Sequence, residues 1–166
     1  MKPIALLAAL ALAAPGLSAC GFAPLYAQPG VVSNLAAIDV EAPDGRTGYL
    51  IRQHLDDAFA KDRSAKAAYH MQLALAEARY PRGVRVDNVA TRYEYVLTAT
   101  YALTALPSGA MAKRGTVRVE LTYDSADQPY ASVAAQQDAQ DRAAEEAARR
   151  IQLELAAWLA SGAKPS

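Results

Sequence analysis

Large apolar side chains fall on every second residue in three stretches of this chain and on every third or fourth residue in two others. Tyr69, Met71, Leu73 and Leu75 occupy the odd positions of one run; Tyr93, Tyr95, Leu97, Tyr101 and Leu103 those of a second; and Val117, Val119, Leu121 and Tyr123 those of a third. Period two predicts strands with one face on a core. Tyr49, Leu50, Ile51, Leu55, Ala58 and Phe59 make a helical stripe, with Asp44 and Thr47 as candidate caps, and the Ala-, Gln-, Glu- and Arg-rich segment from Tyr130 to Ala160 predicts a long second helix. There Ala139, Ala143, Ala147, Ile151, Leu155 and Trp158 share one face, so the alanines let the helix lie close on a sheet while the larger residues anchor its end. Val31 to Val40, apolar and β-branched, predicts a first strand.

Turn residues divide these elements. Pro43-Asp44-Gly45 follows the first strand, Tyr80-Pro81-Arg82-Gly83-Val84-Arg85 reads as a hairpin loop, Pro107-Ser108-Gly109 lies in a second loop before a strand opening at Gly115, and Ser161-Gly162 ends the last helix. Sequential strands joined by short turns favour an antiparallel meander. The expected fold class is α+β: two helices packed on one face of a four-stranded, mainly antiparallel sheet, in the order β-α-β-β-β-α.

The N-terminus has a different pattern. Met1-Lys2 is followed by an apolar run from Ile4 to Ala14 and by Pro15-Gly16, the layout of a secretory signal and too short to span a bilayer. Leu17-Ser18-Ala19-Cys20 then resembles a bacterial lipobox, in which the cysteine is acylated before cleavage. Cys20 is the only cysteine and has no partner for an internal disulfide. It is read as a lipid attachment point, and Gly21, in place of an Asp, directs the sorting expectation to the outer membrane. One acyl chain binds a bilayer marginally at about 0.8 kcal/mol per methylene, and several hold it firmly. Residues 1–19 are therefore expected to be a signal peptide, 20–30 a lipidated tether and 31–166 a single domain. No cofactor is expected beyond the covalent lipid on Cys20.

Charge and candidate chemistry exclude more than they identify. With 17 basic and 17 acidic residues the chain has no global basic field, so nucleic acid is not an expected partner. His54 and His70 sit on different elements without neighbouring metal-ligand spacing, and are expected on a helix flank and on the sheet's open face. Glu145 and Glu146 are adjacent on a helix and do not converge on one site. No nucleophile elbow, phosphate loop or metalloprotease motif occurs, so neither catalysis nor a metal is expected. Nine tyrosines against two phenylalanines suit half-buried sheet faces and interfaces equally well. Arg82 with Arg85, and Lys113 with Arg114, form two basic loop pairs at opposite ends of the meander, either able to hold phosphate through charge-assisted hydrogen bonds.

Cys20-Gly-Phe-x-Pro-Leu-Tyr26, the stretch Thr91 to Thr104, the Gly115 strand ending at Tyr123, and Tyr130 to Ile151 together resemble the lipopolysaccharide-assembly lipoprotein family LptE, in its alphaproteobacterial form. The resemblance implies the same β-α-β-β-β-α order. It implies a plug within an LptD-type outer-membrane β-barrel that helps the barrel assemble and assists lipopolysaccharide delivery to the cell surface, by binding. The chain would then be lipid-anchored at the periplasmic face of the outer membrane, with the barrel and lipopolysaccharide as partners. Basic residues linked to lipopolysaccharide binding in the family add Arg92, inside a matching stretch, to Arg82, Arg85, Lys113 and Arg114. The competing reading is an auxiliary lipoprotein of a lipid-trafficking ABC transport system acting as a periplasmic adaptor, which would use one face where a plug uses most of its circumference.

Overall fold

The computed structural model describes residues 29–62, 64, 66–84, 86, 90–125 and 128–162. Seven elements follow in order: α1 (Val31–Ala36), β1 (Ile38–Glu41), α2 (Arg46–Ala58), β2 (Tyr69–Val84), β3 (Ala90–Ala105), β4 (Met111–Asp124) and α3 (Pro129–Ala160). The four strands form one sheet in sequence order. β2, β3 and β4 are antiparallel neighbours, and β1 lies parallel to β2 through the α2 crossover. The sheet is therefore mixed, and three helices among the described residues lie on its covered face. The expected α+β architecture is present, with corrections.

The first correction is at residues 31–40. Only Ile38–Glu41 is a strand, and Val31–Ala36 is helical. Gly30, at φ +87°, turns the chain into this helix, and Val31 and Leu35, four residues apart, are both buried. Burial against the helix layer overrides the β propensity of the two valines. The second concerns the caps: α2 begins after Gly45 without a side-chain cap. Thr47 is buried instead.

The third correction lengthens the strands. β2 runs through Pro81 and Arg82 to Val84, and β4 starts at Met111, four residues before Gly115. Arg82, Lys113 and Arg114 are thus strand residues, and the basic pairs do not sit in loops. Pro81 is compatible with this because β1 pairs only with Tyr69–Gln72, which leaves the rest of β2 an edge where a missing N–H breaks no ladder bond. At the opposite hairpin, a register shift at Leu103/Thr104 lets β4 begin early.

Packing follows the alternation. Met71 and Leu73 of β2, Tyr95, Leu97, Ala99, Tyr101 and Leu103 of β3, and Val117, Val119 and Tyr123 of β4 join the core with Ile51 and Leu55 of α2. α3 seats Ala139, Ala143, Ala147, Ile151 and Leu155 there, each fully buried, and the edge of Trp158 meets the Tyr69 ring at 5.9 Å. Its 32 residues span about 48 Å, and the 16-residue strands about 53 Å, so the helix backs the sheet along nearly its whole length. Val96 is 2% exposed yet lies outside the core cluster, on the opposite face.

Candidate functional site

Among the described residues no helix lies over that opposite face. Its middle is floored by small side chains, among them Ala74, Ala76 and Ala78 of β2 and Thr98, Thr100 and Ala102 of β3, and its charges gather at the ends. At the β2–β3 hairpin end, Arg82 and Arg92 are direct cross-strand partners. Like charges opposite each other repel, and each is offset by a carboxylate. Arg82 donates from Nε and Nη2 to Glu94 Oε2 at 2.8 and 2.6 Å, and Arg92 Nε donates to Asp124 Oδ1 at 2.8 Å. The Arg82 guanidinium also lies 6.0 Å from the Tyr80 ring centre. Beneath, on the helix side, Arg79 stacks at 4.8 Å on Tyr93, which itself stacks on Tyr123 at 5.7 Å.

Both guanidiniums on the open face are 57% exposed, so their ion pairs are surface pairs worth about 0–1 kcal/mol each. An incoming phosphate can take over these donors at little cost.

The candidate residues therefore separate. Arg82 and Arg92 come together. Lys113 and Arg114 lie at the other end of the sheet, and strand alternation sends them to opposite faces: Lys113 pairs with Leu103 on the helix side, and Arg114 stands exposed opposite Ala102. Neither makes an ion pair among the described residues. Cys20 and Arg85 fall outside the described residues. The partners Tyr80, Glu94 and Asp124 escaped the sequence reading, because a cross-strand contact depends on register, which residue spacing within one strand does not reveal.

The remaining polar residues form small, separate groups. His54 Nε2 meets Asp141 at 2.8 Å between α2 and α3, and His70 Nε2 meets Glu41 at 2.9 Å on the open face. Lys61 Nζ donates to Asp39 at 2.7 Å, and this bond, with added help from His70, holds the Asp39 carboxyl below its usual range. A groove of about 420 Å³ beside this pair is lined by Arg52 and Asp56. Arg150 and Arg149 likewise hold Glu146 low. Burial first, then Glu77 and Glu154 respectively, drives the Tyr95 and Tyr101 hydroxyls up. Among the described residues no three His, Cys, Asp or Glu side chains converge on a point where a metal ion would sit. The site offers cationic hydrogen-bond donors on a flat, shallow surface, suited to recognition.

Comparison with known proteins agrees with this architecture. The family model LptE, lipopolysaccharide-assembly, matches residues 35–155. A crystal structure of a candidate lipoprotein from Caulobacter crescentus CB15 is 52% identical, covering 82% of this chain and 99% of its own, with a TM-score of 0.70. The rare lipoprotein B from Shewanella oneidensis shares the fold at 14% identity, covering 75% and 96% with a TM-score of 0.58. Lipoprotein B from Nitrosomonas europaea does so at 15%, covering 75% and 84% with a TM-score of 0.53. No curated protein sequence matches significantly.

Proposed function

The chain belongs to the LptE lipopolysaccharide-assembly family, and from that premise we propose that it is a lipoprotein anchored through Cys20 at the periplasmic face of the outer membrane. There it plugs and helps assemble an LptD-type β-barrel and assists lipopolysaccharide delivery, by binding and without bond-breaking chemistry. The observation that carries this reading is the family match across most of the folded unit, from Leu35 at the end of α1 to Leu155 in α3. The 52% identical Caulobacter structure, described as a candidate lipoprotein, supports the anchor.

The open sheet face supplies the means. Arg82 and Arg92 present two guanidiniums side by side, a geometry that takes up a phosphate oxygen pair in exchange for Glu94 and Asp124. Phosphate-bearing lipid is the ligand this pair fits. Arg114 offers a second, separate contact at the far end.

The test is affinity purification of the native lipoprotein from detergent-solubilised outer membrane. A stoichiometric large β-barrel that survives washing is the expected result. Recovery of the lipoprotein alone, or with a periplasmic or inner-membrane transporter component, overturns the plug reading and favours an adaptor.

A further inference from the structure

The two long edges of the sheet are treated differently. Along β4, the outer edge carries Arg114, Arg118 and Glu120, and Arg150 of α3 reaches over to donate to the Arg118 carbonyl at 2.9 Å. A groove of about 410 Å³ between that edge and α3 is lined by Arg142, Arg149 and Arg150. Charge and a clamped carbonyl are ordinary guards against unwanted strand pairing.

The outer edge of β2 carries charge at Glu77 and Arg79 but, among the described residues, no clamped carbonyl. β1 covers only Tyr69–Gln72. From Leu73 to Tyr80 there is no lysine, proline or register shift, and among the described residues no other element hydrogen-bonds to this backbone. The parity is readable. Leu106 N–H donates to Ala68 O at 2.8 Å, across β2–β3, while Tyr69 N–H turns the other way to Ala37 O at 3.3 Å. Odd-numbered residues of β2 therefore direct N–H and C=O outward: Leu73, Leu75, Glu77 and Arg79. Pro81, the next in the series, sits where its missing N–H faces out. Among the described residues, eight residues of regular strand thus leave a row of outward donors and acceptors unused, in line with the end of β1.

We propose that this edge, Leu73 to Tyr80, receives an extended strand from the barrel partner, by backbone pairing in continuation of β1's column. The inference rests on the barrel reading above and names its contact. Main-chain bonds would give the affinity. Ala74, Ala76 and Ala78 leave room on the open face for bulky side chains of the incoming strand, and Glu77 and Arg79 favour opposite charges on the other.

A second copy of this chain fits less well. Antiparallel self-pairing centred on Ala78 sets Glu77 against Arg79 of the partner but brings Pro81 into the ladder from both sides, removing two donors. The register that sets Glu77 opposite itself still brings Pro81 against Leu73, and the one that moves Pro81 beyond the edge sets Glu77 opposite Leu75. A foreign strand ending before Pro81 meets neither problem.

The experiment is residue-resolved hydrogen exchange on the native chain, alone and in the co-purified barrel complex. The amides of Leu73, Leu75, Glu77 and Arg79 are expected to exchange rapidly alone and at least tenfold more slowly in the complex, with β4's outward amides unchanged. Arg79→Pro, which removes an outward N–H without touching the β2–β3 ladder, should weaken barrel association at least tenfold. A complex that forms without protection of these four amides overturns this inference and leaves the plug reading standing. Concentration-dependent protection in the chain alone assigns the edge to a second copy and overturns the choice of partner. Absence of any barrel overturns both.

Discussion

The ring of Tyr101 on β3 lies across Gly115 on β4, so closely that a Cβ at Gly115 would stand 2.5 Å from the hydroxyl oxygen and 2.6 Å from Cζ. The missing side chain lets the tyrosine cross the neighbouring strand and donate to Glu154 Oε2 on α3 at 2.7 Å. One cross-strand pair thus ties two strands to the long helix.

Gly115→Ala should push the fully buried Tyr101 ring off its seat, destabilising the fold by about 1–3 kcal/mol. Tyr101→Phe keeps the ring and loses only the hydrogen bond, so about 1 kcal/mol is expected. The two costs should not add, since both act on the same contact. Urea unfolding of the single and double variants checks this; strict additivity would show that the ring has another seat.

Gly48→Ala should be worse. Within α2 a Cβ at residue 48 would lie 1.9 Å from the Pro43 carbonyl oxygen, which is backbone and cannot swing aside. Alanine's helix propensity returns about 1 kcal/mol. The net loss should still reach roughly 2 kcal/mol or more, because α2 must lift from the turn that enters it. Thermal melting of the variant provides the measurement, with a rise in Tm counting against the contact.

Two pH windows follow from the shifted groups. Asp39, ordinarily at 3.8, is held lower chiefly by the hydrogen bond from Lys61. A depressed carboxyl contributes stability that is present above its unfolded value and is lost as pH falls through the folded one. Lys61→Met should therefore flatten the acid limb of a urea-midpoint profile below about pH 4. Tyr95 and Tyr101, raised above 10.0 by burial, act in the opposite window. Their contribution is intact below pH 10.0 and declines as pH climbs towards their higher folded values. A spectrophotometric titration should find both ionising above the ordinary tyrosine value of 10.0, or only once the fold opens in base.

Replacing Arg82 and Arg92 together by Gln should reduce binding of phosphate-bearing lipopolysaccharide by about tenfold or more, on the scale of losing one or two charge-assisted hydrogen bonds. The variant should also lose most of the salt sensitivity of binding. Lys113→Gln, on the other face, should change it little. Equal binding by the double variant and the parent chain in a pull-down on lipopolysaccharide would remove the arginine pair from the site.

What was legible in the sequence was whatever depends on local periodicity. The alternation of Tyr93 to Leu103 and of Val117 to Tyr123, and the four-residue spacing from Ala139 to Leu155, each name an element and its buried face, because backbone geometry repeats every two or every 3.6 residues. The rest required contacts between distant residues. Val31–Ala36 has strand-like valines and became a helix because Val31 and Leu35 found cover against the helix layer. Pro81-Arg82-Gly83 reads as a turn and became strand because β1 stops at Glu41 and leaves that edge free of ladder bonds. The pairing of Arg82 with Arg92, the division of Lys113 from Arg114 and the open edge of β2 all follow from register and strand order. A one-residue slip would reverse each of them, and no single strand's pattern records its neighbour's alignment.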